Sequence, residues 1–202
     1  MKHTFLTIST CLVGLVLAFP PITSAIELPP EEVYAGHKLI DDWNTEAAED
    51  FTKTLLKKYP KSGDAYFLKA RVEFFKGNHD LAAKILKQVT GNHSEVHEFK
   101  NLVYETHEET KLFATSESKH FTYRYQKGSD EILVHYATKV LEKSYKILGK
   151  IFNYYPKEKV LVEFYPNRES FSKVSPLTLD DIAISGTVAL CKYNRIMMIS
   201  PG

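Results

Sequence analysis

DDIAISGTVALCKYNRIMMISPG, residues 180–202, decides how the second half of this chain folds. It reads as two β-type runs, Ile182 to Leu190 and Arg195 to Ser200, hinged at Lys192-Tyr193-Asn194. Ile196-Met197-Met198-Ile199 is apolar on both faces, which suits a strand covered on one side and facing a groove or partner on the other. Pro201-Gly202 is turn chemistry, so the expectation is a core completed by residues beyond Gly202.

Working back from that stretch, strand and helix alternate. Phe121, Tyr123 and Tyr125 alternate with Thr122 and Arg124, the period of a half-buried strand. Gly128-Ser129 turns the chain, and Ser129 is placed to cap a helix whose first turn carries Asp130 and Glu131. Leu133, Ala137, Val140, Leu141, Leu148, Ile151 and Phe152 form a stripe that should lie across a sheet. Val160 to Tyr165, between Pro156 and Pro166, is the next strand, with Glu163 expected on its solvated face, and Asn167 can cap a short helix through Phe171. The order strand, helix, strand, helix, strand, strand is an α+β half-domain with a mixed sheet.

Between Glu31 and Val89 the chain repeats itself. Aligning Trp43 with Gly77 also pairs Gly36 with Ala70, Ile40 with Phe74, Ala48 with Ala82, Phe51 with Ile85 and Leu55 with Val89, at a spacing of 34. Small residues fall where antiparallel helices approach closely, and Tyr59-Pro60 ends the second helix. This resembles the tetratricopeptide repeat, a helix-turn-helix unit of that period. Trp43 stands where a turn glycine is usual, and Glu73 where an aromatic is common. Two units need a neighbour to cover them, and a helix from Ser94 to Phe113, with Val96, Phe99, Leu102, Val103 and Phe113, is expected to cap the pair.

The first residues have a separate role. Lys2 and His3 precede an apolar run from Phe5 to Phe19, followed by Thr23-Ser24-Ala25, the pattern of a secretory signal peptide cleaved after Ala25. That implies a secreted or periplasmic protein. The run is short for a membrane span, and no stable span is expected after cleavage. Cys11 lies within the leader without a lipoprotein box. The segments are thus 1–25 signal peptide, 26–115 helical repeats and 116–202 the α+β half-domain.

Composition narrows the function classes. With 26 Lys and Arg against 25 Asp and Glu, the chain has no field that would attract nucleic acid. Cys191, the cysteine left after leader removal, excludes an internal disulfide and reads as a buried structural thiol. His93 and His97 share a helical spacing, but Ser94 stands where HExxH needs its glutamate, and His97 and His107 lack a second histidine four residues on. All three read as solvated helix-face histidines, and no metal is assigned to them. Asp180-Asp181 reads as a solvated or capping pair on a loop.

HFTYRY, the long helix ending YKILGKIFNYYP, then KVLVEFYPNRESF and ISGTVALCKYNRIMMISP together look like the start of a peptidase MA-like domain of the gluzincin metallopeptidases, over Lys119 to Gly202. That resemblance implies a zinc-dependent peptide hydrolase. It also implies that the strand Arg195, Ile196, Met197, Met198 and Ile199 is an edge strand forming the cleft rim, pairing with an extended substrate. The same stretch fits an ordinary core strand equally well. The HExxH helix and later glutamate ligand of such enzymes would fall beyond Gly202, so zinc is expected in a longer parent and not on these residues. Two functions follow. One is the N-terminal part of an exported zinc metallopeptidase; the other is a non-catalytic exported repeat adaptor that binds proteins or peptides through its repeats and edge strand.

Overall fold

A computed structural model describes residues 28–90, 94–128 and 130–201. The leader, Ser129 and His93 lie outside the described residues. Among the described residues five helices come first: α1 (Pro30–Asp41), α2 (Thr45–Lys58), α3 (Gly63–Phe75), α4 (His79–Leu86) and α5 (Ser94–Thr110). Asn44 and Ser62 cap α2 and α3 by accepting from the backbone N–H groups of Ala47 and Ala65. The first-turn and last-turn charges of α2, Glu46 against Lys57 and Lys58, suit its dipole. As the proline requires, α2 stops before Tyr59-Pro60.

The 34-residue period is written into the turns as well as the packing. Trp43 N donates to Ile40 O, and Gly77 N to Phe74 O; Asn44 N donates to Leu39 O, and Asn78 N to Glu73 O; Ala48 N donates to Asn44 O, and Ala82 N to Asn78 O. The same bonds thus recur one repeat later. Trp43 and Gly77 share the left-handed region, with φ of 58° and 77°. At Gly77 glycine is favoured, since a φ of 77° strains any L side chain and a Cβ there would also press on Leu161 Cδ2 at 2.5 Å. At Trp43 the side chain is half-exposed and the strain is uncompensated by burial. Trp43→Gly is therefore expected to raise stability by about 0.5–1 kcal/mol, strain relief exceeding the entropy of glycine, whereas Gly77→Ala costs about 1–2 kcal/mol. Urea unfolding of the two variants measures both.

One core joins the repeats: Ile40, Leu68, Val72, Phe74 and Leu86 are buried together, and α5 adds Val96 and Val103, with Phe99 and Leu102 packed beside them. Gly36 lets α1 and α3 close up, since a Cβ there would stand 2.6 Å from Leu68 Cδ1. The capping helix ends at Thr110, and Phe113 leaves it to join a different cluster under the sheet.

The sheet begins earlier than the sequence suggests, at β1 (Ala114–Glu117), a short strand with no apolar alternation. It continues with β2 (Phe121–Tyr125), crosses α6 (Glu131–Phe152) to β3 (Val160–Tyr165), passes α7 (Arg168–Val174) and α8 (Leu179–Ser185), and ends in β4 (Ala189–Lys192) and β5 (Arg195–Ile199). The fold is α+β, helical hairpins followed by a mixed sheet ordered β1-β2-β3-β5-β4. Strands β2, β3 and β5 run parallel, while β1 and β4 are antiparallel to their neighbours.

Several expectations change at this level. Ile182 to Leu190 is not one strand: Thr178 and Asp181 form a capping box that starts α8, so Asp180-Asp181 sits in a helical first turn, and Gly186 ends it at φ 67°. Asn167 caps α7 through Ser170 N at 2.8 Å, and that helix runs three residues past Phe171. Tyr193-Asn194, with φ of 55° and 57°, has the two positive φ angles of the tight type I′ hairpin turn that joins β4 to β5. Alternate residues of β2, β3 and β5 pack against Leu133, Val134, Ala137, Leu141 and Tyr145 of α6. Val140, Leu148, Ile151 and Phe152, read as facing the sheet, are exposed instead.

Candidate functional site

The expected rim residues divide between the two faces of the sheet. Ile196 and Met198 point to the α6 side, with Val162 and Phe164. Met197 and Ile199 point the other way, toward Tyr165, Phe171 and Ile182. Arg195 is buried on that second face, under the repeats. The strand is not an edge. It is paired with β3 on one side and β4 on the other, so its main-chain groups are committed to the sheet. The edge is β4.

In β4 the pairing Ala189↔Met198, Leu190↔Met197 and the bond from Ile199 N to Val188 O fix the alternation. Leu190 turns its N–H and C=O toward β5, so Ala189 and Cys191 present theirs to the outside. Both are exposed. Cys191 is thus not the buried thiol expected from the sequence, though partial burial still raises its pKa and keeps it protonated at neutral pH.

Where the sheet meets the repeats lies a cluster of charges that the sequence does not announce. Glu163, expected in solvent, is fully buried at the centre of β3. Its Oε1 accepts from Arg124 Nη1 at 3.3 Å, its Oε2 accepts from the Tyr165 hydroxyl at 2.7 Å, and Arg195 Nε stands 3.1 Å from Oε2, off the hydrogen-bond direction and so an ion pair. Arg195 Nη1 donates to His79 Nε2 at 2.7 Å, and its guanidinium lies 4.7 Å from the Phe74 ring centre. Since arginine only donates, Nε2 of His79 is the acceptor and the ring proton is on Nδ1. That Nδ1 faces Thr110 Oγ1 at 3.2 Å, and Thr110 passes its own proton to Thr106 O at 2.7 Å. Arg124 Nη1 also donates to Gly77 O at 2.7 Å, and Asn194 Nδ2 to Phe75 O at 3.3 Å.

The electrostatics follow from that geometry. Burial, and then the neighbouring arginines, hold His79 down to a pKa of about 3, so it is neutral. Burial alone would raise Glu163, but Arg195, the Tyr165 hydroxyl and Arg124 outweigh it and keep it below the usual carboxylate range. The Tyr165 phenol is pushed well up by burial and by Glu163. Apart from Arg195 Nε, which is held by charge alone, these polar atoms bond one another across an internal seam, which fastens repeats to sheet rather than offering a free acid or base. A cleft of about 460 Å³ opens beside it, lined by His79, Asp80, Thr110, Lys111 and Arg124 among others.

The remaining candidates stay apart. His97 is exposed on α5, whereas His107 is half-buried, its Nδ1 2.8 Å from Asp80 Oδ1, tying α5 to α4. Asp181 is held low by its hydrogen bonds with Thr178, in a capping role. No group of three or more His, Cys, Asp or Glu that could hold a metal occurs among the described residues. No helix among them is long and apolar enough to cross a membrane.

Neither the curated proteins nor the solved structures contain a match to this chain. One family model does match, over residues 7–116, which is more than half of the 202 residues and takes in every helix of the repeat core. With its 34-residue period recurring in sequence, turn bonds and packing, the chain belongs to the Iml2/Tetratricopeptide repeat protein 39 family.

Proposed function

We propose that this chain docks other proteins or extended peptides, using its helical repeats and the outer edge of β4. The observation that carries the reading is the position of β4: its outward N–H and C=O groups at Ala189 and Cys191 have the spacing that a partner strand requires. The strand-pairing role expected of Arg195–Ile199 therefore moves one strand outward. Ala189→Pro removes an outward donor without taking a bond from the sheet. It is expected to weaken binding of an unfolded probe, reduced and carboxymethylated lactalbumin, by about tenfold, one lost hydrogen bond being worth about 1–1.5 kcal/mol. Amide exchange at 189 and 191 should slow when the probe is added to the unaltered chain. Unchanged exchange and affinity would sink this use of the edge.

A second, more specific form of this reading is that of the N-terminal part of an exported zinc metallopeptidase. It is favoured by the resemblance over Lys119–Gly202 and by three parallel strands followed on the β5 side by an antiparallel edge strand. The described residues do not form a site for zinc, so the metal and its general base would come from residues beyond Gly202. Reading the gene past that codon tests it: an HExxH within a few dozen residues is the expected result, and its absence leaves the adaptor. Export is tested by N-terminal sequencing of the mature protein, expected to begin at Ile26.

A further inference from the structure

Nine of the large apolar residues exposed in this structure fall between 132 and 155, on α6 and the turn after it. Ile132, Tyr136, Val140, Ile147 and Ile151 recur at spacings of four and seven, so they make one exposed stripe along a flank of α6, beside the line that packs on the sheet. Val140 is 62% exposed and Ile151 66%. At 1.5 Å per residue the stripe is about 28 Å long. At its C-terminal end Phe152, Tyr154 and Tyr155 are exposed as well.

A row of lysines runs beside it. Lys139, Lys143, Lys146 and Lys150 follow one another at spacings of four, three and four, all exposed, and none is in an ion pair among the described residues. The carboxylate midway along the helix, Glu142, is turned to the other flank, where it accepts from Ser118 Oγ at 2.7 Å, His120 N at 2.9 Å and His120 Nδ1 at 2.6 Å. The outward face of α6 is therefore apolar and aromatic along one line and uniformly cationic along the next.

We infer that this face rests on an anionic lipid surface, with α6 lying in the interface and not across it. A helix that lies on a bilayer needs an apolar line to enter the headgroup boundary and lysines that reach sideways to lipid phosphates. The tyrosines at one end, with an apolar ring and a polar tip, are side chains that prefer that depth. A second copy of the chain fits poorly, because pairing α6 with itself brings two lysine rows together. A partner helix needs a groove between elements, and this is the exposed side of a single helix.

The test uses the full chain with Trp43→Phe and Phe152→Trp, which moves the sole tryptophan onto the proposed face. Vesicles of equimolar phosphatidylglycerol and phosphatidylcholine are expected to shift its emission to the blue, pure phosphatidylcholine far less, and high salt to reverse the shift. Binding through the apolar leader would leave a tryptophan at 152 in water. In this background Ile147→Asp with Ile151→Asp should weaken partitioning by at least about tenfold, and Lys143→Gln with Lys146→Gln should weaken it on anionic vesicles alone. The positions are exposed, so circular dichroism should not change. No blue shift overturns the inference, as does unchanged partitioning in the isoleucine variant. A shift that grows with protein concentration in the absence of lipid also overturns it, in favour of self-association.

Discussion

Glu163→Gln is expected to lower the free energy of unfolding by about 3–5 kcal/mol, as the loss of one partner from a buried ion pair does. The substitution keeps shape and one acceptor but removes the charge that offsets Arg195, a residue only 1% exposed. A cation so enclosed cannot regain its hydration without opening the seam between repeats and sheet. Chemical denaturation of the variant measures the loss. Replacing the partners together, Glu163→Leu with Arg195→Met, is expected to recover most of it, because the desolvation cost disappears with the charges. A double variant as weak as the single one would show that the ion pair is not what holds the seam.

Acid is expected to weaken the fold from pH 6.5 downward, well before ordinary carboxylates titrate. His79 has a folded pKa of about 3 against an ordinary 6.5, so between those limits the unfolded chain takes up a proton that the folded chain does not. Stability therefore falls with falling pH, by about 1.4 kcal/mol per pH unit and roughly 3 kcal/mol by pH 4. His37, also lowered by burial and by Arg71, acts in the same direction. Glu163 joins only further down: its folded pKa is depressed, so its contribution is kept above the carboxylate range and lost as pH falls through it. Denaturation midpoints across pH 4 to 7, for the native chain and His79→Gln, read the effect. Glutamine still offers an acceptor to Arg195 but takes up no proton, so its profile should lose about one proton's slope. An identical slope in both would place the titration elsewhere.

The parts of this fold that can be read from the sequence are those whose cause is local. The 34-residue spacing, Pro60, Asn167 and the alternation of Phe121, Tyr123 and Tyr125 each act through neighbouring residues, and each stands where the sequence places it. Glu163 is misplaced by reading alternation into a strand that has none. Val160 to Tyr165 is almost continuously apolar, the signature of a strand covered on both faces, and a glutamate inside such a run is a buried one. His79 gives no such signal. It stands beside Asn78 at a helix start, and only the tertiary arrangement brings Arg195 to it across 116 residues. Strand order is equally hidden: pairing β5 between β3 and β4 turns an expected edge into an interior strand, and exposes Cys191 on the edge that results.

The turn at Tyr193-Asn194 carries a consequence for how the chain assembles. Its tyrosine ring lies 5.4 Å from Phe74 and 5.8 Å from Phe75 by ring centres, and its asparagine reaches Phe75 across 119 residues of chain. Contacts that distant cost loop-closure entropy before they return anything, whereas the repeats close on near neighbours. The repeats should therefore be in place while the β4–β5 hairpin is still searching, and Phe74 and Phe75 would then act as a template on which the last strands find their register. In a growing polypeptide, synthesised from the first residue onward, that order is the natural one, and the slowest step of refolding should be the seating of a single hairpin.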